Sequence, residues 1–194
     1  MILVDANLLI YAVDADSSHH AVARRWLETA LSGPGWVGLP WIVVLAFVRV
    51  TTRSGILRRP LRVEQAIGYV DEWLAQPCVR LVTPGDRHWS ILRGLLEGCG
   101  TAGNLTSDAH LAALAIEHGC VIASTDNDFK RFSGVGLHNP LGGAGGKCYR
   151  RSLDHPGISL LHQAGGFAPQ PPPTSCCCCS ASSVAPFDDA RRRS

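Results

Sequence analysis

The chain has 194 residues, about the size of one ordinary domain. Its residues are 46% hydrophobic and 18% charged, enough apolar material for a packed core, which excludes a wholly disordered chain. The formal charge is only +2, and the longest apolar run, Trp41 to Val48, is far too short to cross a bilayer.

Met1 to Val4 is apolar and meets Asp5 at once, which suits a buried strand. The same stretch lacks the basic start of a secretory signal, so a cytoplasmic protein is expected. Asp16 or Ser17 can cap a helix running through Leu31, with Ala21, Val22, Trp26 and Ala30 at helical spacing. Pro34-Gly35 ends it, and Trp36 to Leu39 reads as a second strand. Pro40 suits the start of a helix over 41–53. A further amphipathic helix covers 63–75, with Ala66, Ile67, Val70 and Leu74 on one face.

Val79 to Val82 reads as a third strand. Asp86 can cap a helix whose inner face carries Trp89, Leu92, Leu95 and Leu96. Thr106 can cap the next helix, 107–118, which Gly119 ends. Val121 to Ala123 is a fourth strand, followed directly by Asp126. Short apolar strands alternating with longer helices predict an α/β fold with a mostly parallel sheet.

Composition breaks near residue 140. Residues 1–140 carry 12 Lys+Arg against 13 Asp+Glu, and they hold all five Trp. Residues 141–194 are rich in Gly, Pro and Ser, have no apolar period and hold five of the eight Cys. One domain, 1–140, followed by a disordered tail, 141–194, is expected. The run Cys176 to Cys179 has no second pair at zinc spacing, and its character suggests a non-native reading frame past a natural stop. Gly142 to Cys148 fails as a phosphate loop, with Leu141 and Cys148 where Gly and Ser/Thr belong.

In such sheets, ligands sit beyond the carboxyl ends of the strands, where Asp5 and Asp126 fall. Asp108 lies in the first turn of a helix, and Asp128 follows Asp126 closely. If the first and fourth strands are neighbours, three or four carboxylates converge. Ionised together they repel, so they call for a divalent cation, Mg²⁺ or Mn²⁺ by the hardness of oxygen donors. Acids holding a hydrated cation beside a phosphate suit phosphodiester hydrolysis. Each acid also has a structural reading: Asp5 and Asp126 as turn residues, Asp108 as a dipole-favoured helix start.

Three segments carry a resemblance: Ile2-Leu3-Val4-Asp5-Ala6-Asn7, Gly103-Asn104-Leu105-Thr106-Ser107-Asp108-Ala109-His110, and Ser124-Thr125-Asp126-Asn127-Asp128-Phe129. In this order and spacing the chain, from Met1 to about Leu141, closely resembles PIN-domain ribonucleases, and within them VapC toxins of type II toxin–antitoxin modules. Gly38 to Trp41 and Phe47 to Val50 add to it. The resemblance implies a three-layer α/β/α domain and a Mg²⁺-dependent endoribonuclease toxin. Asp5, Asp108 and Asp126 match the catalytic, metal-holding acids, and Asp128 a frequent fourth. Asn7 and Thr125 match positions that orient the first and last acids. A VapB-like antitoxin, an RNA substrate and a homodimer are the implied partners, with no membrane. The chain departs from most of the family at Ala46, where a Glu is usual, which favours one well-held cation over two.

Arg49, Arg53, Arg58, Arg59 and Arg62 fall within 14 residues without an acid, a candidate surface for RNA or for an antitoxin segment, or simply a solvated face. Gly98 to Gly103 spells a dinucleotide-loop pattern but follows a helix, not a strand. His110 is two residues from Asp108, hence on another helix face. Cys78, Cys99 and Cys120 read as ordinary thiols. Two rival functions remain: a catalytically weak PIN-fold module that binds RNA or protein, and a phosphohydrolase with Asp5 as nucleophile, against which Asn7 stands where that chemistry needs Asp.

Overall fold

A computed structural model describes residues 1–100 and 102–142. The expected tail beyond Gly142 lies outside the described residues. In chain order the elements are β1 (Ile2–Val4), α1 (Ala6–Val13), α2 (His20–Ser32), β2 (Val37–Pro40), α3 (Trp41–Thr52) and α4 (Val63–Leu74). They continue with β3 (Val79–Val82), α5 (His88–Cys99), α6 (Thr106–Glu117), β4 (Val121–Ala123) and β5 (Gly136–His138).

The strands form one sheet in the order β3-β2-β1-β4-β5, and every pairing is parallel. The chain steps outward from β1 to β2 to β3, then returns across β1 to β4. Right-handed crossovers place the helices of the outward steps on one face and those of the return on the other. Packing follows that rule: α1 lies against α2 and α3, α3 against α4, and α5 against α6. The result is the three-layer α/β/α arrangement, with Leu3, Val4, Leu39, Ile122 and Ala123 fully buried between the layers. Phe47 of α3 meets Trp73 of α4 edge to face at 4.8 Å, closing the outer layer. Among the described residues no helix is long and apolar enough to cross a membrane.

Five details differ from the sequence reading. Helix α1 was not expected, because Ala6–Val13 is apolar all round and shows no helical stripe; it is a helix packed against both α2 and α3. Strand β5 is only three residues and depends on its pairing with β4, with no local pattern to announce it. Helix α2 starts at His20, since Ser17 Oγ accepts the His19 N–H in a turn of its own. Thr106 lies inside α6, where its hydroxyl donates back to the Gly103 carbonyl at 2.9 Å. Asp86 does not cap α5 either. The Glu117 carboxylate at the end of α6 accepts the Gly85 and Arg87 N–H groups, each at 3.1 Å.

Gly38 occupies the middle of β2, paired with Leu3 on one side and Arg80 on the other. A Cβ there would collide with the Leu3 side chain and approach Val82 Cγ2 to 2.9 Å. Gly38→Ala is therefore expected to destabilise the fold by about 1–3 kcal/mol through overpacking. Urea denaturation should show a lower midpoint at unchanged slope.

Candidate metal centre

The strand order reverses between β1 and β4, and the crevice at such a reversal opens at the carboxyl ends of the strands. Asp5 follows β1 directly, and its N–H donates to the Ala123 carbonyl at the end of β4, 3.0 Å away. It is also the N-cap of α1, with Oδ1 accepting the Ala6 N–H at 2.7 Å. Helix α6 leads into β4, so it runs back against the strands and starts at the same edge. Ala109 and Leu111 to Ala115 are all buried, so α6 is enclosed and its first turn, which carries Asp108, is firmly placed.

Ser124, fully buried just after β4, joins these pieces. Its Oγ donates to Asp5 Oδ2 at 2.6 Å and accepts from Asn7 Nδ2 at 3.0 Å and from the Asp126 N–H at 2.9 Å. One donor and two lone pairs are the full capacity of a hydroxyl, and all are used. Asp126 Oδ1 then accepts the Asp128 N–H at 2.8 Å. The segment thus climbs by successive side-chain turns, each oxygen holding the N–H two residues on.

The sequence-predicted acids come together. Oxygens of Asp108, Asp126 and Asp128 lie within 4.8 Å of one another. Asp5 stands beside them, with both oxygens already accepting hydrogen bonds. Burial, reinforced by the charges of Asp126, Asp5 and Asp128, pushes the Asp108 carboxyl up to about 6. Burial also raises Asp5, against the pull of its bonds from Ser124 and Ala6 and with a further push from Asp126. Hard carboxylate oxygens at this spacing fit a divalent cation. Asn7 Oδ1, buried at the Ser124 junction, has no hydrogen-bond partner among the described residues, as befits a polar atom kept for a hydrated ion.

The pattern of the family described as PIN domain matches residues 2–135. Ribonuclease VapC37 of Mycobacterium tuberculosis is 51% identical over 140 residues, covering 72% of this chain and 97% of the relative. Ribonuclease VapC33 of the same species is 43% identical over 141 residues, covering 73% and 99%. The chain belongs to the VapC ribonucleases of the PIN-domain family. VapBC2 from Rickettsia felis, solved bound to a DNA fragment from their promoter, superposes with a TM-score of 0.53 at 21% identity over 72% of this chain and 98% of that one. VapC20 of Mycobacterium tuberculosis, a Sarcin-Ricin loop cleaving toxin, gives 0.51 at 22% identity over 67% and 93%. Those two likenesses bear on the fold.

Within this PIN domain, one orienting residue differs from expectation. Thr125 makes no side-chain hydrogen bond among the described residues; Ser124 orients both Asp5 and Asp126. Asn7 acts on Ser124 rather than on a carboxylate. The signal for Ser124 was its place directly after the strand, two residues before Asp126, where a short hydroxyl can hold a turn. The His110 ring pairs with His88 of α5, Nδ1 to Nε2 at 2.9 Å, and stays outside the acid cluster. Cys78, Cys99 and Cys120 are free thiols. Arg59 is tied to Asp16 by two bonds of 2.9 and 2.8 Å, while Arg53 and Arg58 are exposed. Arg49 instead lines a cleft of about 280 Å³ together with Asp5, Asp108 and Ala46.

Two outcomes follow from this geometry. Asp108 has a folded pKa above its unfolded value, so its ionisation opposes folding as pH rises through about 6. A divalent cation reverses that, and Mg²⁺ should raise the melting temperature more at pH 7.5 than at pH 5. Asp108→Asn should raise the metal-free melting temperature at pH 7.5 and abolish the Mg²⁺ increment. Ser124→Ala should weaken divalent-cation binding about 10–100-fold, the usual effect of losing a ligand's supporting partner. Thr125→Ala should leave calorimetric metal affinity within about twofold, since it orients no carboxylate by any hydrogen bond.

Proposed function

We propose that the protein is a Mg²⁺-dependent endoribonuclease toxin, with Mn²⁺ able to substitute, acting on cellular RNA in the cytoplasm. The observation that carries this reading is the cluster of Asp108, Asp126 and Asp128, with Asp5 near enough to help raise the Asp108 carboxyl to about 6. Asp5, Asp108, Asp126 and Asp128 are the residues we assign to the metal, with Asn7 and Ser124 as positioning residues.

When bound, the cation supplies Lewis-acid activation of water and charge neutralisation at the phosphate. The chain's own residues do the rest. One hydroxyl, donating to the Asp5 carboxylate and accepting the Asp126 backbone N–H, keeps the two acids in register while the substrate changes shape. Asp108, whose carboxyl is raised by burial and by Asp126, Asp5 and Asp128 while no cation is bound, is the acid whose ionisation is tied most closely to cation binding.

We assign a VapB-like antitoxin as the partner that silences the site, in line with membership of the VapC ribonucleases, and expect a homodimeric toxin. The exposed Arg53 and Arg58 form, with Arg49, the basic surface we assign to RNA or antitoxin; Arg59, paired with Asp16, contributes less.

One observation favours a second reading. Ala46 lines the cleft where an acid would complete the set, as in a PIN fold that binds RNA without cutting it. Cleavage of total bacterial RNA by the full chain decides between them. Discrete cuts are expected with Mg²⁺ or Mn²⁺ and none in EDTA. Asp5→Asn should slow them at least ~100-fold, the scale of losing a few kcal/mol of charge stabilisation. Binding without any metal-dependent cut would establish the second reading instead.

A further inference from the structure

The cleft is lined by separate elements of the fold. Asp5 comes from the end of β1, Ser107 and Asp108 from the start of α6, and Ile42, Leu45, Ala46 and Arg49 from α3. The α3 residues recur at the i, i+3, i+4, i+7 spacing of a single helix face, so Arg49 continues the face that Ile42 begins. Among the described residues it is the only cationic one lining the cleft.

Arg49 is exposed and makes no ion pair or hydrogen bond among the described residues. That is unusual for a guanidinium sharing a small cleft with two carboxylates. Its own helix face offers it nothing, since Ile42, Leu45 and Ala46 are apolar. The charge count gives it a task. A divalent cation offsets two of the four negative charges gathered at the switch point, so a phosphodiester entering the cleft still meets net negative charge. It needs a further positive group.

Resting on the nuclease reading above, we propose that Arg49 is the phosphate-binding residue of the cleft, gripping the RNA backbone from α3 beside the carboxylates. A planar guanidinium can donate two parallel bonds to the non-bridging oxygens of one phosphate. The phosphodiester is then held by the metal-bearing acids and the Arg49 guanidinium together. The ligand class is a single-stranded RNA phosphodiester, recognised by charge and shape rather than by base sequence.

The test measures anisotropy of a fluorescein-labelled single-stranded RNA with the full chain in EDTA, where binding is separated from cutting, over a series of salt concentrations. Arg49→Gln should weaken binding about 5–20-fold at low salt and make the log–log salt dependence shallower by about 0.7, the loss of one phosphate contact. Arg49→Lys should keep the salt slope and lose part of the affinity. Arg93→Gln, which removes a charge from α5 outside the cleft, should change neither beyond about twofold. Calorimetry should show Mg²⁺ binding to Arg49→Gln as tight as wild type or tighter, because a neighbouring positive charge has gone.

Wild-type RNA affinity and slope in Arg49→Gln would overturn the proposal, as would a variant that keeps RNA binding and loses only binding of an acidic peptide. Metal-dependent cuts by wild type in a parallel assay would leave the nuclease reading standing in either case. Their absence would remove that reading, and this inference with it.

Discussion

The Ser124 hydroxyl joins the ends of two strands, at residues 119 apart in sequence, through its 2.6 Å bond to Asp5. The same oxygen takes the Asp126 N–H and the Asn7 amide. Because its bonding capacity is filled, the hydroxyl has one rotational position and fixes both flanking acids. Its backbone is fixed too, by the bond from the Ser124 N–H to the His138 carbonyl in β5. The edge strand therefore has a role beyond completing the sheet: it pins the residue on which the acidic site is hung.

This bond matters because the site is under stress. Four carboxylates at one sheet edge are disfavoured by mutual repulsion and, for Asp5 and Asp108, by burial. A fold could relieve that by letting the strand ends part. Here the strand order forbids it: β1 and β4 are paired along their whole length, Ile2 with Val121 through Val4 with Ala123. The topology forces the acids together, the enclosed α6 brings Asp108 to them, and Ser124 sets their orientation. What remains adjustable is protonation and the binding of a cation. A site of this kind carries its instability as readiness for metal.

The parts of this arrangement that were legible in the sequence have a local cause. Asp5 and Asp126 could be found because each closes or follows a short apolar run, and Asp108 because it starts a helix after a glycine-rich turn. The parallel sheet followed from alternation of strands and helices. The rest depends on contacts that no local pattern records. Helix α1 hides because it is buried against neighbours on more than one side. Strand β5 exists through its partner. Thr125 and Ser124 are equally good candidates by residue type, and only the side of the chain each faces separates them. The basic cluster divides the same way: Arg59 is neutralised by Asp16, 43 residues away in sequence, and Arg49 turns into the cleft.

Helix α6 carries opposite electrostatic demands at its two ends. At its start, Asp108 is pushed up to about 6 by burial and like charges. At its end, Glu117 is held below its ordinary value, first by the Gly85 N–H and then by the Arg87 N–H and the nearby His88 and His118. The two titrations therefore act on folding with opposite sign. Ionised Glu117 stabilises the junction with α5 above its unfolded pKa, and that support is lost as pH falls through its lower folded value. Ionised Asp108 opposes folding above about 6, and that opposition fades as pH falls. Acidification first relaxes the metal-site end of the helix and only later releases the end that anchors it. A divalent cation at the acidic end removes the conflict at neutral pH, leaving both ends of α6 ionised and both satisfied.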